Sequence, residues 1–459
     1  MAEHCGYVVR VEKLRPHGNA DKLQILTVFS TDVIVSTDVK YGDIGVYFPS
    51  DLQLGEKFCQ VNDLVRRKDE NGNTCGGYLD PVKRNIKALK LRGEQSDGLY
   101  LPLSCLSAFT DINKLKVGDT IDVLGGEVIC RKYIPMTNAQ QNKQRTAQKP
   151  KKERVSMSCP FFKEHVETEQ LVHHLSEFHE GDDIEITLKM HGTSQRTGFL
   201  PVTRTKRNGW LRRLFHLPPK ETTEYEYISG SRRVVLGERK AKGFYDSDDW
   251  RYAMEAKFWG QLRKGETVYY EVVGFQGHNG APIMGAVDNK VTKDKEFIQK
   301  YGDRTVFSYG CDPKGNYIDI CGYEAGVGIL PAEPCCDVYV YRMTMTNPDG
   351  FVMEYSPEQM RQRCEQMGVK FVVTFDRFRI PKGTFDPGAY VKAKAEQYYD
   401  GVDPIGKTHV REGVVIRIVN RPGFVVFKHK NISFKILSGL IAEQVKPDEI
   451  TDETLLEEM

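Results

Sequence analysis

The chain has 459 residues, of which 40% are hydrophobic and 28% are charged. This length allows two or three domains, each with its own core, and the composition is that of an ordinary globular protein. The formal net charge is only +2, which excludes a generally basic chain, so any nucleic-acid-binding surface has to be a local concentration of basic side chains.

The cellular setting is predicted from features that the sequence lacks. No apolar run reaches the roughly 20 residues that span a bilayer, and the start, MAEHCGYVVRVEK, has no uninterrupted apolar core of a signal peptide. The 11 cysteines are scattered and odd in number, which does not fit a framework of disulfides. We therefore expect an intracellular, cytoplasmic protein without a membrane-spanning segment.

Residues 1–135 are predicted to form a small β-rich domain. Segments such as LQILTV, DVIVS and IGVYFP are short and are separated by Gly, Asp, Asn and Pro, a pattern that favours a small barrel or sandwich. Residues 136–156 are almost entirely polar and basic, so they cannot bury a core and are predicted to be a linker. Two interpretations stay open, a linker alone or a linker that also contacts a phosphate backbone.

Residues 157–440 alternate strand-like runs with helical pieces, without a regular βαβ rhythm or a glycine fingerprint, which predicts an α+β fold. The string SPEQMRQRCEQMG predicts a helix that Ser356 caps and Gly368 ends. Residues 441–459 are an acidic tail, expected to be a short helix or a frayed end. The predicted strands comprise residues 183–189, 224–236, 267–275, 337–345, 412–419 and 424–430.

The stretch ITLKMHGTSQR places Lys189 at the end of the first of these strands. Ile184, Ile186 and Leu188 share one face, so Lys189 is expected to point away from that apolar layer. Gly192 follows three residues later and permits a tight turn of the backbone near a ligand. Two interpretations remain at this point, an ordinary surface strand with its loop and a lysine nucleophile beside a phosphate site.

Charged residues also occur inside other apolar strands. A charge in such a position is costly unless it meets an opposite charge or a ligand. Structural ion pairs and one shared functional site both explain the pattern. The charged residues concerned are Glu271 in VYYEVVGF, Glu412 in REGVVIRI, and Lys428 and Lys430 on one face of FVVFKHKNISFK. Nearby, DVYVYRM places the uncharged Tyr339 and Tyr341 on one face of a strand.

These segments, in this order, resemble the motifs of the covalent nucleotidyltransferases, and among them the ATP-dependent RNA ligases. KMHG is similar to the lysine nucleophile motif, SGSRRVVL (229–236) to the arginine motif, YYEVVG to the third motif and VYVYRM to the aromatic strand after it. EGVVIR and FKHKNISFK are similar to the last two motifs. The histidine of KMHG resembles RNA ligases, since DNA ligases and capping enzymes more often have aspartate there.

The resemblance implies an antiparallel-sheet nucleotidyltransferase domain at 157–440, preceded by a small OB-like β-barrel at 1–135. This arrangement resembles the branch of RNA ligases that carries an amino-terminal OB-type domain. The string HGNADKLQILTV (17–28) is similar to the start of OB-type tRNA-binding domains, which would give the first domain a nucleic-acid-binding role.

The resemblance also implies a role for each site residue. Lys189 is the nucleophile, Glu271 accepts a hydrogen bond from a ribose hydroxyl, and Tyr341 stacks on adenine, with Tyr339 as the alternative. Glu412 is the ligand of a water bound to Mg²⁺ or Mn²⁺. The remaining nucleotide-binding positions are His191, Gly192, Arg232 with Arg233 as its alternative, Lys428 and Lys430.

The implied reaction has three steps. Lys189 attacks the α-phosphorus of ATP, AMP then passes to the 5′-phosphate of an RNA end, and a 3′-hydroxyl finally displaces AMP. A lysine has a pKa of about 10.4 and is protonated at pH 7, so neighbouring cations are needed to favour the neutral amine. The expected partners are RNA ends, in RNA repair, and three substrates stay open: a nicked duplex with an RNA 3′-hydroxyl strand, a broken tRNA and a single strand. The sequence identifies no protein partner.

Two other functions fit the same sequence. One is a DNA ligase or capping-type enzyme of the same superfamily, and the other is a non-catalytic RNA-binding protein with a retired ligase domain. Against the second, no expected catalytic position holds an inert residue.

One departure from the motifs of the family is Ser194. Some RNA ligases have asparagine at this position, where it contacts metal-bound water.

Metal binding by cysteine and histidine is not favoured. The string SCPFFKEHVETEQLVHHLSEFHEG has a cysteine and several histidines, but their spacing fits no common zinc finger. A structural or RNA-contacting role is preferred for them.

The insert of about 70 residues between Glu271 and Tyr341 is longer than in compact relatives of the family. It holds Cys311, Cys321, Cys335 and Cys336, without a C-x-x-C pair.

Overall fold

The computed structural model describes residues 4–68, 74–133, 155–206, 218, 220–232, 235–236, 249–275, 283–284, 286–288, 294–306, 336–405, 407 and 409–444. The chain divides into two compact units. The first takes in Met1–Met136, Glu169–His174 and Lys430–Lys446, and the second takes in Thr137–Thr168, Leu175–His429 and Pro447–Met459.

Short strands make up most of the first unit: β1 (Gly6–Arg10), β2 (Leu14–Pro16), β3 (Leu23–Val28), β4 (Thr31–Ser36), β5 (Ile44–Phe48), β6 (Leu52–Leu54), β7 (Arg66–Lys68), β8 (Thr74–Gly76), β9 (Ala88–Leu91), β10 (Glu94–Asp97), β11 (Leu99–Pro102), β12 (Thr120–Ile121), β13 (Val123–Leu124), β14 (Glu127–Val128) and β15 (Cys130–Lys132). One antiparallel sheet has the order β11-β5-β1-β12 and another the order β2-β3-β4. The helix Glu56–Val61 lies between β6 and β7, and the 3-10 turns Leu103–Leu106 and Ile112–Lys114 lie between β11 and β12.

Two hydrophobic clusters fill the first unit. Phe48, Phe58 and Leu106 are fully buried in one cluster, and Val11 and Leu26 are fully buried in the other. β3 contributes one apolar face, with Leu26 and Val28, to the second cluster, because successive side chains alternate between the two sides of a sheet. The predicted β-rich architecture of this part of the chain is confirmed, whereas its assignment as an OB-type barrel stays a prediction.

The HGNADKL segment has a structural role within the first unit. His17 is buried, its Nδ1 accepts a hydrogen bond from the backbone N–H of Asn19 at 3.1 Å, and its Nε2 lies 3.2 Å from the carbonyl oxygen of Leu91. The Asn19 amide donates to the carbonyl of Arg92 at 3.0 Å. These contacts fasten the segment to the end of β9.

Segments that are distant in sequence complete the first unit. The 3-10 turn Leu171–His173 contributes the imidazole of His173, which stacks on Tyr7 with ring centroids 4.8 Å apart. The helix Ile432–Gln444 packs against β9 and buries Phe434 and Leu437.

A buried ion pair joins that helix to β10. The Nζ of Lys435 lies 2.6 Å from Oδ2 of Asp97, and the two side chains are only 16% and 10% exposed. The hydroxyl of Ser50 donates to the other oxygen of Asp97. The carboxylate is therefore satisfied on both sides, which is the condition under which a buried charge is tolerated.

The later strands, in chain order, are β16 (Val155–Ser158), β17 (Glu169–Gln170), β18 (Asp183–Leu188), β19 (Thr193–Lys206), β20 (Lys220–Gly230), β21 (Glu266–Gly274), β22 (Ala286–Asp288), β23 (Arg304–Val306), β24 (Cys336–Thr346), β25 (Val352–Glu354), β26 (Lys370–Phe371), β27 (Thr374–Arg379), β28 (Gly413–Ile418) and β29 (Val425–Lys430). The helices among them are Asp249–Ala256, Lys295–Tyr301, Pro357–Met367 and Pro387–Tyr399, with a 3-10 turn at Leu175–Glu177.

Two groups of strands position the residues of interest in the second unit. β16, β19, β21, β24 and β25 lie side by side in that order, with β20 paired to β19 and β26 paired to β24. β29, β28, β18 and β27 also lie side by side in that order. Most of these pairings are antiparallel, and the pairing of β24 with β26 is parallel. The predicted mixture of helices with mostly antiparallel sheet is confirmed.

The helix predicted at 356–368 is confirmed together with both of its ends. The Ser356 hydroxyl accepts a hydrogen bond from the backbone N–H of Gln359 at 3.2 Å, and the Gln359 side chain accepts one from the N–H of Ser356 at 2.8 Å. This reciprocal pair is a capping box. Gly368 ends the helix in the left-handed conformation, with a φ of 65°.

All six predicted strands have counterparts, with ends that shift by a few residues; the run 224–236 corresponds to Lys220–Gly230. Of the predicted linker, residues 136–154 lie outside the described residues, and residues 155 and 156 already belong to β16. Residues 441–444 of the predicted acidic tail are the end of a helix, and residues 445–459 lie outside the described residues. Among the helices in the described ranges, none has the length and apolar character needed to cross a bilayer.

We expect Asp97→Asn to lower the free energy of unfolding by about 3 kcal/mol, because removing one partner of a buried ion pair leaves the other charge buried without it. Chemical denaturation measures this loss. The matched control is Lys57→Met, which breaks a pair with Glu127 whose side chains are 60% and 42% exposed and should cost less than about 1 kcal/mol. Equal losses in the two variants would contradict the prediction. The double change Asp97→Leu with Lys435→Met should recover most of the loss.

Candidate active site

Strand pairing brings Lys189 to a buried carboxylate. β18 pairs antiparallel with β28, Leu188 lies opposite Val414, and the backbone N–H of Lys189 donates to the carbonyl of Gly413 at 3.1 Å. The residue before β28 therefore meets the residues after β18. Lys189 Nζ lies 2.7 Å from Oε1 of Glu412.

Glu412 bridges two of the predicted site residues. Its Oε2 lies 3.2 Å from Nδ1 of His191, while its Oε1 faces Lys189. The Glu412 side chain is 6% exposed, His191 is 14% exposed and Lys189 is 22% exposed. A carboxylate this deeply buried needs such partners, because its desolvation is costly. Lys189, the least buried of the three, remains accessible to a ligand.

Gly192 is required by the approach of the neighbouring strand. A Cβ atom on this residue would lie 2.5 Å from the carbonyl oxygen of Val272 and 2.9 Å from Cγ of Glu271. The sequence predicted a tight turn near a ligand as the reason for this glycine. In the structure, the atoms nearest to this position belong to Glu271, Val272 and Val273 of β21.

Register places Glu271 beside two further polar positions. Ser194 on β19 and Tyr339 on β24 lie directly opposite Glu271 on its two sides. Residues directly opposite each other in paired strands project to the same face of the sheet. Ser194, Glu271 and Tyr339 therefore form a row across three strands.

Tyr341 contacts that row through its hydroxyl. The phenol oxygen lies 2.8 Å from Oγ of Ser194 and 3.4 Å from Nδ1 of His165. Burial raises the pKa of Tyr341 above its ordinary value, and the carboxylate of Glu271 adds to the rise. The phenol is therefore protonated at neutral pH, and it can donate one hydrogen bond while accepting another.

Both candidate tyrosines border one apolar cluster. Tyr339 is buried in it with Leu188 and Met190, and Tyr341 packs against it. Lys370 Nζ lies 5.4 Å from the centroid of the Tyr339 ring. Either aromatic ring has the apolar surroundings that a stacked base needs, so the preference for Tyr341 stays a prediction.

Arg232 follows β20 and is largely buried. Its side chain is 13% exposed, and its guanidinium lies 3.9 Å from Oε1 of Glu167. The carbonyl of Arg232 accepts a hydrogen bond from the backbone N–H of His165 at 3.2 Å. Arg233, the alternative phosphate-binding residue, lies outside the described residues.

Lys428 and Lys430 lie on β29, next to β28. Both are partly buried, and their spacing of two places them on the same side of the strand. Lys430 is grouped with the first unit and Lys428 with the second. Direct contacts thus join Lys189 and His191 to Glu412.

Two residues next to the site were not predicted for it. His165 was considered only among the histidines of a zinc-like stretch, yet it contacts Tyr341 and Arg232. Burial and the charges of nearby arginines, first Arg232, hold the pKa of His165 well below its ordinary value. Arg196, seven residues after Lys189, ends the stretch ITLKMHGTSQR and was assigned no role. An arginine so close to the KMHG motif was the available signal.

The cysteines and histidines considered for zinc have separate partners. Cys159 donates to the carbonyl of Pro201, His174 pairs with Glu169, and the imidazole of His179 contacts Arg421. Within the described ranges, no three metal-binding side chains come together. Cys311, Cys321 and Cys335 lie outside those ranges, and Cys336 is buried in β24.

Comparison with solved structures extends the description of the fold. No protein-family model matches the chain, and no curated protein matches it. A lysine-to-methionine variant of Naegleria gruberi RNA ligase with AMP and Mn is similar, with 15% identity and a TM-score of 0.53 over 96% of this chain and 99% of that one. A lysine-to-alanine variant with ATP and Mn gives the same values. A further lysine-to-alanine variant in the apo form has 15% identity and a TM-score of 0.52 over 97% of this chain and 100% of that one. The chain shares its fold with these ligases over almost its whole length.

Gly192→Ala should lower the free energy of unfolding by about 1–3 kcal/mol, because the added methyl group overlaps a backbone carbonyl that cannot move alone. The matched control is Gly198→Ala on β19, where the nearest atoms to an added Cβ are side-chain atoms of Leu200 and Thr267. Denaturant unfolding of both variants measures the difference. A larger loss for Gly198→Ala would contradict the prediction.

His165 should make folding less favourable in acid. Its folded-state pKa is lowered, so below about pH 6.5, the ordinary histidine pKa, the unfolded chain binds a proton that the folded chain does not. Stability is therefore lost as pH falls through 6.5. In His165→Asn, the slope of unfolding free energy between pH 6.5 and 5 should be smaller by up to about 1.4 kcal/mol per pH unit. Parallel curves for the variant and the parent protein would show that His165 does not carry this dependence.

Proposed function

We propose that the protein is an ATP-dependent RNA ligase that joins the 3′-hydroxyl and 5′-phosphate ends of RNA. The observation that carries the proposal is the contact of Lys189 with the buried carboxylate of Glu412, in a fold shared with an RNA ligase. A lysine just after β18, a glycine three residues later and a buried acid just before β28 support the proposal of a lysine nucleophile. The resemblance in motif order supports the same assignment.

In the proposed first step, the neutral amine of Lys189 attacks the α-phosphorus of ATP. A nitrogen–phosphorus bond forms, the bond from the α-phosphorus to the bridging oxygen breaks, and pyrophosphate leaves. Before the attack, Lys189 must lose a proton, and its contact with the Glu412 carboxylate at 2.7 Å must be released. We propose that binding of the nucleotide phosphates and a neighbouring cation weakens this pair and so makes the amine available for attack.

The residues present fit a hard divalent cation. Mg²⁺ and Mn²⁺ prefer oxygen ligands, and Mg²⁺ commonly binds through one or two carboxylates while it keeps several waters. Glu412 supplies a carboxylate whose two oxygens face the nucleophile and His191, so we assign it as the residue that would hold the ion through water. When bound, the ion would neutralise charge on the α-phosphate and favour the neutral form of Lys189.

The other residues would bind and orient the nucleotide. Glu271 accepts a hydrogen bond from a ribose hydroxyl, and Tyr341 or Tyr339 stacks on adenine. Arg232 binds phosphate through its planar guanidinium. The register of β19, β21 and β24 supports this division, because it places the acid and the aromatic rings on neighbouring strands.

The later steps act on RNA. The 5′-phosphate of one end attacks the phosphorus of the lysyl-AMP, the bond to Lys189 breaks, and an RNA adenylate forms. A 3′-hydroxyl then attacks the 5′-phosphate and AMP leaves. A nicked duplex with an RNA 3′-hydroxyl strand is the proposed substrate, with a role in RNA repair. The first unit, as an OB-type module, would contact the backbone of the RNA.

Lys189→Ala should abolish labelling of the protein by α-labelled ATP, because no amine remains to form the phosphoramidate bond. The variant should still seal an RNA that is already adenylylated at its 5′ end, since Lys189 acts only in the first two steps. Gel assays of protein labelling and strand joining measure both outcomes. Lys382→Ala, at an exposed lysine in the same unit, is the control and should label normally.

Undiminished labelling of Lys189→Ala would overturn the assignment of the nucleophile. A comparison of ATP with GTP, and of RNA with DNA nicks, distinguishes the alternatives. Labelling by GTP would favour a capping-type enzyme, and preference for DNA strands would favour a DNA ligase. An unlabelled parent protein that still binds RNA would favour the non-catalytic alternative.

A further inference from the structure

Arg196 is a buried cation that the proposed reaction does not use. It lies on β19, only 2% of the residue is exposed, and it is among the largest fully buried side chains of the described residues. Burying a guanidinium costs roughly several kcal/mol unless hydrogen-bond acceptors in the protein replace the water that it loses. Its surroundings therefore indicate what it holds in place.

The guanidinium of Arg196 contacts the backbone that carries Arg232. Its Nη1 donates to the carbonyl of Ser231 at 2.6 Å and also to the carbonyl of Arg232. The plane of the guanidinium stacks over Phe162, with Cζ 4.5 Å from the ring centroid. The Phe162 ring on one side of the guanidinium and the two carbonyls at its edge hold the group in place.

The same backbone is held from other directions. The N–H of His165 donates to the carbonyl of Arg232 at 3.2 Å, and the N–H of Leu236 donates to the carbonyl of Ser229 at 2.9 Å. Gly230 forms a bridge with Val235. The carbonyl of Arg232 thus receives hydrogen bonds from β19 and from the segment before Leu171, so its position is set from two sides.

Arginine suits this position better than lysine does. Its planar fork supplies several donors in fixed directions, whereas an ammonium is a compact point charge. Because one Nη1 donates to both carbonyls, the guanidinium lies close to the backbone of Ser231 and of Arg232. Arg196 therefore holds the backbone of these two residues in place.

We propose that Arg196 is a positioning residue, which holds the Ser231–Arg232 backbone so that the Arg232 side chain is directed to the phosphates of ATP. This inference rests on the proposed function, because it assumes that Arg232 binds the nucleotide. Arg196 itself contacts neither ATP nor the reacting atoms, and it acts only through Arg232. The alternative is that Arg196 serves only the stability of the sheet.

A double-mutant cycle distinguishes these roles. The rate of Lys189 labelling at low ATP, which reports kcat/KM, is measured for Arg196→Lys, Arg232→Gln and the double variant. Arg196→Lys and Arg232→Gln should each lower it roughly 10- to 100-fold, the range that corresponds to one or two charge-assisted hydrogen bonds. In the Arg232→Gln background, Arg196→Lys should cause almost no further loss, because residues that act as one unit are not additive.

Arg204→Gln is the matched control. Arg204 lies on the same strand, but its side chain is 36% exposed and pairs with Glu226, so the variant should label at the parent rate. Thermal unfolding of every variant reports stability separately from labelling. If Arg196→Lys does not fold, Phe162→Leu removes the ring beneath the guanidinium and is tested in the same cycle, with the same lack of additivity expected.

Each outcome decides one question. If the parent protein is labelled and Arg196→Lys labels at the parent rate, the inference is wrong and the proposed function stands. If the losses of the two single variants add, Arg196 supports the sheet without acting through Arg232, and the inference is again wrong. If the parent protein is not labelled by ATP, the proposed function itself fails.

Discussion

The contact of the Glu412 carboxylate with Lys189 and His191 is the interaction on which the candidate site depends. A carboxylate that is 6% exposed is stable only while both oxygens have partners. Those partners come from the chain just after β18, and Glu412 comes from the chain just before β28. The pairing of β18 with β28 must therefore hold its register, since a slip of one residue would move every side chain to the opposite face.

The remaining site residues are ordered by a second set of paired strands. Gly192 lets β21 approach so closely that a methyl group would overlap the carbonyl of Val272. Beyond it, the register sets Ser194 opposite Glu271 and Glu271 opposite Tyr339. The Lys189 end of the candidate site and its aromatic end are thus connected through the six residues from Lys189 to Ser194, with no helix between them.

The sequence was informative where local patterns decide the structure. Ser356 and Gly368 marked both ends of a helix, because capping and a left-handed end are properties of a few neighbouring residues. Alternation also located the strands around Glu271 and Glu412. The strand around Tyr341 has an added irregularity, because the register shifts there and Arg342 and Val340 lie opposite consecutive residues of β21. A bulge of this kind depends on the partner strand, which local alternation does not reveal. The grouping of Lys430 with the first unit is likewise a matter of distant packing.

The two faces of β19 explain why its polar residues are so numerous. Thr193, Gln195 and Thr197 project to one face, where Thr193 accepts from Arg251 at 3.1 Å and Thr197 contacts the hydroxyl of Tyr270 at 2.8 Å. Ser194 and Arg196 project to the other, toward the site. In sequence the run TSQRT looks like a solvated strand, yet all five residues are buried. Each buried polar group must then find a partner, so the strand has few alternative positions. A strand that has partners on both faces keeps Gly192, the residue before it, against Val272 and Glu271 of β21.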